Sequence, residues 1–130
     1  MNTADRLDIY ETLALHAHIF DADEVDRAEE LFTADAVYDM SRAGLGVFNG
    51  VDVIRAAAAK MSQSGHAPLA HFLTNIVLTS SDEDTATARS KGLMIMSDGA
   101  VQGVTYDDTL RRLDGGWRVS RRVIIPVGRR

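Results

Sequence analysis

The chain of 130 residues is sized for one domain, residues 1–130, and is long enough to bury a core without disulfides or a structural metal. It contains no cysteine and carries a formal net charge of −5, which excludes thiol redox chemistry and thiolate metal sites and argues against a nucleic-acid partner. No apolar run reaches the ~18 residues of a membrane span and the start, Met1-Asn2-Thr3-Ala4-Asp5, has no signal-peptide core, so a cytoplasmic protein without a membrane partner is expected.

Asn2 or Thr3 is placed to cap a first helix running to about Phe20. Leu7, Tyr10, Ala14 and Ala17 form one stripe on it, and Ile9, Leu13, His16 and Phe20 form a neighbouring one. An apolar surface this wide implies burial around much of the helix. Asp23 reads as the cap of a second helix, with Asp26 in its first turn and Val25, Ala28, Leu31 and Phe32 on its buried side. Ala36 to Met40 is a short strand, Ser41 to Gly50 a glycine-containing loop, and Val51 to Met61 an alanine-rich helix ended by Ser62-Gln63-Ser64-Gly65. Four strands follow, at Leu69 to Thr79, Thr85 to Met96, Val101 to Leu113 and Trp117 to Pro126, separated by polar connections. The last two are joined by a tight turn at Asp114-Gly115-Gly116. Helix, helix, strand, helix and four strands make an α+β protein with helices on one side of a largely antiparallel sheet. Arg118, Arg121, Arg122, Arg129 and Arg130 make the C-terminal end basic and are read as a solvated or intersubunit face.

The C-terminal hairpin carries Tyr106, Asp108, Arg112, Asp114, Gly115, Trp117 and Arg118 in the order of a Tyr-x-Asp-x-x-x-Arg-x-Asp-Gly-x-Trp-Arg pattern. Upstream stand Phe20-Asp21 with Asp26, Leu31-Phe32-Thr33-Ala34-Asp35-Ala36-Val37, and Asn49-Gly50-Val51-Asp52-Val53-Ile54. Together these segments resemble the SnoaL-like polyketide cyclase and dehydratase group of the nuclear transport factor two-like superfamily. The resemblance spans nearly the whole chain. It implies a cone-shaped, curved antiparallel or mixed sheet with three N-terminal helices over its concave side.

Chemistry is concentrated in Ala70-His71-Phe72-Leu73-Thr74-Asn75. On a regular strand His71, Leu73 and Asn75 share one face and Phe72, Thr74 and Ile76 the other, so two polar side chains would line a cavity. A neutral imidazole accepts a proton near pH 7, and a carboxylate on its second nitrogen fixes its tautomer. The segment resembles scytalone dehydratase and hexachlorocyclohexane dehydrochlorinase, in which such a histidine is the base and an aspartate near the end of the first helix is its partner. That resemblance makes His71 and Asp21 the candidate catalytic pair. The plainer reading is a hydrogen-bonded core histidine and a helix-terminal aspartate. His16, five residues before Asp21, matches a pocket lysine of the dehydrochlorinase and is a candidate substrate donor or simply a buried helix histidine; His18 is read as a surface residue. Arg112 and Tyr106 share strand parity with Asp108. Arg112 would hold that carboxylate or a substrate anion, and Tyr106 would donate a phenolic hydrogen bond. Tyr38 and Asp39 lie near the register of the ketosteroid isomerase base, which falls on Met40, so that base is not carried over. Phe20 and Met40 stand where scytalone dehydratase has two tyrosines. With Leu73, Met94 and Met96 they would make an apolar, adaptable pocket or plain core.

No histidine spacing suggests a metal site, and there is no phosphate loop or serine-nucleophile motif, so neither a metal nor a cofactor is expected. The resemblance implies a cofactor-independent lyase acting on a small hydrophobic, cyclic or polyketide-like molecule, by dehydration or another β-elimination, with isomerisation or aldol cyclisation as related outcomes. The alternative is a non-catalytic ligand-binding or assembly module like the small subunits of ring-hydroxylating dioxygenases. Either implies a homodimer or homotrimer.

Overall fold

The computed structural model describes residues 1–128. Helix α1 spans Thr3–Asp21. Its cap is a reciprocal box in which Asn2 Oδ1 accepts the Asp5 amide at 2.9 Å and Asp5 Oδ2 accepts the Asn2 amide at 3.3 Å. Such a cap satisfies two otherwise unpaired groups and stabilises a helix by about 0.5–2 kcal/mol. Ile9, Leu13, Ala17 and Ile19 are buried as an inner surface, whereas Leu7, placed on an apolar stripe from its spacing, is exposed. The segment expected to be a second helix is a short 3-10 helix, Val25–Glu30, whose cap position is Glu24 without a side-chain bond. Asp23 instead adopts a left-handed φ of 56°, a conformation short polar residues tolerate.

Strand β1 is longer than its apolar run suggests, Phe32–Asp39. The expected loop after it contains a 3-10 turn, Ser41–Ala43, and a strand β2, Val47–Asn49, which pairs back on β1. Helix α2 spans Val51–Ser64 and packs against β1, β2 and the 3-10 helix at Val25–Glu30. Strands β3 (Ala70–Ser81), β4 (Thr85–Ile95), β5 (Val101–Leu113) and β6 (Gly116–Pro126) follow the expected boundaries closely. The sheet order is β2-β1-β6-β5-β4-β3, with β1 and β6 parallel and every other pair antiparallel. The result is a curved mixed sheet with α1 laid against β3 and β6. Two α-helices and two 3-10 helices accompany it among the described residues; of the three expected helices, the second is 3-10 rather than α.

The C-terminal hairpin is fastened to α1. Trp117 is buried; its indole N–H donates to Asp5 Oδ1 at 3.2 Å, its amide to Asp8 Oδ2 at 2.9 Å, and its carbonyl accepts from the Thr12 hydroxyl at 3.2 Å. Gly116 has φ 116°, and a Cβ there would stand 2.8 Å from Asp8 Oδ2, so both backbone and contact demand glycine.

Two β-bulges decide what faces the interior. In β5–β6, Thr109 pairs with Arg121 but Leu110 with Val119, leaving Ser120 as an extra residue. The insertion changes side-chain parity, so Trp117 and Val119 are followed inward by Arg122 and Ile124, not by Arg121. In β3–β4, Thr74 pairs with Lys91 and Val77 with Arg89, and Asn75 takes φ 56°. Ile76 and Leu78 then pack on the core. Asn75 is exposed.

Candidate active site

Asp21 ends α1, and His71 is the second residue of β3, the last strand of the sheet. The free edge of β3 faces the helix, which leaves the His71 amide without a strand partner on that side. Asp21 takes both groups of this one residue. Its Oδ2 accepts the His71 amide at 2.9 Å and its Oδ1 meets His71 Nδ1 at 2.5 Å. An ionised carboxylate only accepts, so the proton of this contact sits on Nδ1, and in the neutral form of the ring the lone pair is then on Nε2. The amide bond holds the carboxylate in place against the backbone that carries the ring. Both side chains remain partly open, at 17% for His71 and 26% for Asp21.

His16 is nearby but differently housed. Its ring centroid lies 6.2 Å from that of His71, 4.3 Å from Phe20 and 6.2 Å from Tyr106, and its Nε2 is 3.2 Å from the Tyr38 hydroxyl. The residue is 4% exposed. Burial, then the charge of Arg122 and, whenever it is protonated, that of His71, hold its imidazole well below the ordinary value of 6.5, so it is neutral at pH 7. Burial likewise raises the Tyr38 and Tyr106 hydroxyls above the phenolic value of 10.0, with Arg122 opposing the shift in both. Phe32, Phe20, Tyr38 and His16 stack edge and face between α1 and β1.

Behind this stack, Arg122 grips Asp108 with two bonds of 2.7 and 2.9 Å, both side chains fully buried. Its guanidinium lies 4.2 Å from the Tyr106 ring centroid. One nitrogen, Arg122 Nη1, has no hydrogen-bond partner, nor has the buried Ser90 Oγ. The Tyr106 ring is admitted by Gly92 on β4, where a Cβ would collide with it.

The structure therefore rearranges several sequence-derived assignments. Arg112, expected beside Asp108, lies at the far end of β5, where it pairs with Asp5 at 2.7 Å and covers the Trp117 ring at 4.8 Å; Arg122 holds Asp108 instead. Arg122 is thus no part of a basic surface, while Arg121 reaches Asp39 and Arg118 bonds the Glu29 carbonyl. Arg129 and Arg130 lie outside the described residues. Asn75 points away from His71 and accepts from the neighbouring Thr74 hydroxyl. Leu73, Met94, Phe20 and Met40 are half-buried against the core, and Met94 is the strand partner of His71. Tyr106 is buried beside His16.

A cleft of about 300 Å³ opens on the seam between α1 and β3, lined by Ala14, Ala17, His18, Asp21, His71, Phe72 and Leu73. The spacing of residues 14, 17, 18 and 21 is that of one helix face. Ala17 is buried, as its stripe predicts, whereas Ala14 is exposed and His18, read as a surface residue, lines the cleft.

The whole-chain arrangement has close counterparts. A protein provisionally named an aromatic ring hydroxylase from Novosphingobium aromaticivorans is 29% identical, with a TM-score of 0.86 over 99% of this chain and 93% of that one. A nuclear transport factor two-like protein with a cystatin-like fold from the same organism is 26% identical, with a TM-score of 0.79 over 95% of this chain and 82% of the other. A provisionally named scytalone dehydratase, also from N. aromaticivorans, shares the fold at 19% identity, with a TM-score of 0.81 over 96% and 85% of the two chains. No curated protein matches the sequence. The profile of the SnoaL-like domain matches residues 1–123, nearly the whole length, and the chain belongs to the SnoaL-like domain family.

Proposed function

We propose that this protein is a cofactor-independent lyase in which His71 removes a proton from carbon and Asp21 orients and supports it. The observation that carries the reading is the two-point hold of Asp21 on the amide and Nδ1 of His71, which leaves Nε2 as the basic atom. In a dehydration, Nε2 takes a proton α to a carbonyl, the C–H pair becomes the new C=C bond, and the β-hydroxyl leaves. The proton on His71 then passes to the departing hydroxide as water, so the step needs no oxidant or co-substrate. A positioned base of this kind contributes about 10²–10⁴-fold. The substrate is a small hydrophobic ring compound of polyketide-like character, and the same proton abstraction would serve isomerisation or aldol closure. His16, neutral and fixed by Tyr38, acts as a wall and hydrogen-bonding neighbour rather than a cation. Screening cyclic β-hydroxyketones for loss of water, with His71→Ala as the control, tests the assignment. Turnover that survives the substitution contradicts it.

A second reading, a ligand-binding or assembly module, draws on two observations. The space between α1 and β1 is filled by aromatic rings, and Leu69, Phe72, Val77, Leu93 and Val101 on strands β3–β5 or beside them are exposed. Exposed apolar side chains in this number also favour self-association. A dimer or trimer in sedimentation, unchanged by added catalytic partners, fits the enzyme reading; a chain found only within a larger hetero-complex fits the module.

A further inference from the structure

Catalysis needs more than a poised imidazole; the ring must be reachable. The buried aromatic cluster offers little passage, because His16 is 4%, Phe32 2%, Tyr106 3% and Tyr38 9% exposed and their rings are in mutual contact. The dyad nevertheless retains exposure, and it does so at the α1–β3 seam, where both of its side chains line the cleft. We infer that His71 is reached through this cleft, and that the cleft, with His18 at its rim, is the binding site for a flat, mostly apolar ring compound. The inference rests on the proton-abstraction reading for its chemistry, but not for its location.

The lining determines the ligand class. Ala14 and Ala17, three residues apart on α1, form a low floor without branches or long side chains. Leu73 and the half-exposed Phe72 supply apolar walls from β3. A volume near 300 Å³ lies at the small end of ligand sites and suits one or two fused rings. Among the lining residues the polar side chains are those of His18, Asp21 and His71, three residues that the helix spacing and the Asp21–His71 bond bring to one end. An oxygen substituent placed there meets the His18 imidazole, which makes His18 a positioning residue for substrate, distinct from the base.

The test uses diethyl pyrocarbonate, which carbethoxylates accessible neutral imidazoles, with peptide mass spectrometry to separate the four histidines. In the wild-type chain His71, His18 and the exposed loop residue His66 should react readily and His16 slowly. Ala14→Trp, a change at an exposed helix position, should fill the cleft and slow His71 modification by about tenfold or more, since reaction then waits on local opening, while His66 is unaffected. Phe72→Ala should speed it. Saturating 2-tetralone should protect His71 in the wild type and not in Ala14→Trp. Equal reactivity of His71 in wild type and Ala14→Trp overturns the route, as does a wild-type His71 as slow as His16. Absence of protection by 2-tetralone overturns the ligand class. If cleft protection holds while His71→Ala keeps its turnover, the binding site stands and the catalytic reading falls.

Discussion

Helix α1 presents two histidines on two stripes, and their contrast explains the site. His16 belongs to the stripe Ile9, Leu13, His16 and Phe20, which faces the sheet; His18 belongs with Ala14, Ala17 and Asp21, which face the edge strand and its His71. His16 and His71 have ring centroids only 6.2 Å apart, yet their surroundings assign them different work. His16 is sealed among aromatic rings, bonded to a neutral phenol, and depressed by burial and by the charge of Arg122. His71 has a carboxylate on one nitrogen and a cleft beside it. Proximity to the buried aromatic cluster therefore does not make a base. A partner of the right charge and a route for substrate do.

The sharpest way to break this contrast is to exchange the two roles. His71→Ala should lower turnover by about 10²–10⁴-fold with little change in melting temperature, because the side chain is partly exposed; an equal loss from His16→Gln with retained folding would erase the distinction. Next in size, Arg122→Ala should destabilise the protein by about 3–5 kcal/mol, since it leaves the Asp108 carboxylate buried and unpaired, and denaturant unfolding measures it. A loss below ~1 kcal/mol would mean that Asp108 finds water or another partner. Gly92→Ala should cost about 1–3 kcal/mol through displacement of the Tyr106 ring, and near-UV circular dichroism would report the shifted tyrosine.

The smallest effect is a pH dependence. His16 is neutral when folded and has its ordinary value of 6.5 when unfolded, so the unfolded chain binds more protons below that pH. Its contribution is fully present above pH 6.5 and is lost as the pH falls below it. His16→Gln should flatten the stability profile on the acidic side of 6.5, measured by urea unfolding across pH. A profile identical to that of the wild type would show that His16 does not carry the linkage.

Much of this was legible before any coordinates. Asn2 or Thr3 signals the start of α1, the Asp114-Gly115-Gly116 turn with its flanking β-branched residues signals the last hairpin, and the family resemblance pairs Asp21 with His71. Two bulges were not legible. Parity along an uninterrupted strand puts Asn75 beside His71, and the clustering of arginines near the C-terminus groups Arg122 with a basic surface; the extra residues near Asn75 in β3 and at Ser120 in β6 reverse the side-chain parity in each strand. Bulges arise from long-range register between strands, which local alternation does not encode. Arg112 failed for a different reason: parity was right, but it lies at the strand end, where Asp5 and Trp117 of the helix-hairpin junction claim it. Burial of an arginine against Asp108 needed a partner of the right register, and Arg122 supplied it.

Long-range ¹H–¹⁵N correlation of the imidazoles near pH 7.5 examines the dyad most directly, with His71→Ala and His16→Gln for assignment. His71 should be the Nδ1–H tautomer, with a strongly downfield Nδ1 proton that is lost in Asp21→Ala, and His16 should remain neutral as the sample is acidified toward pH 5.5. A His71 found as the Nε2–H tautomer, indifferent to Asp21, would contradict the assignment of this pair as a poised base.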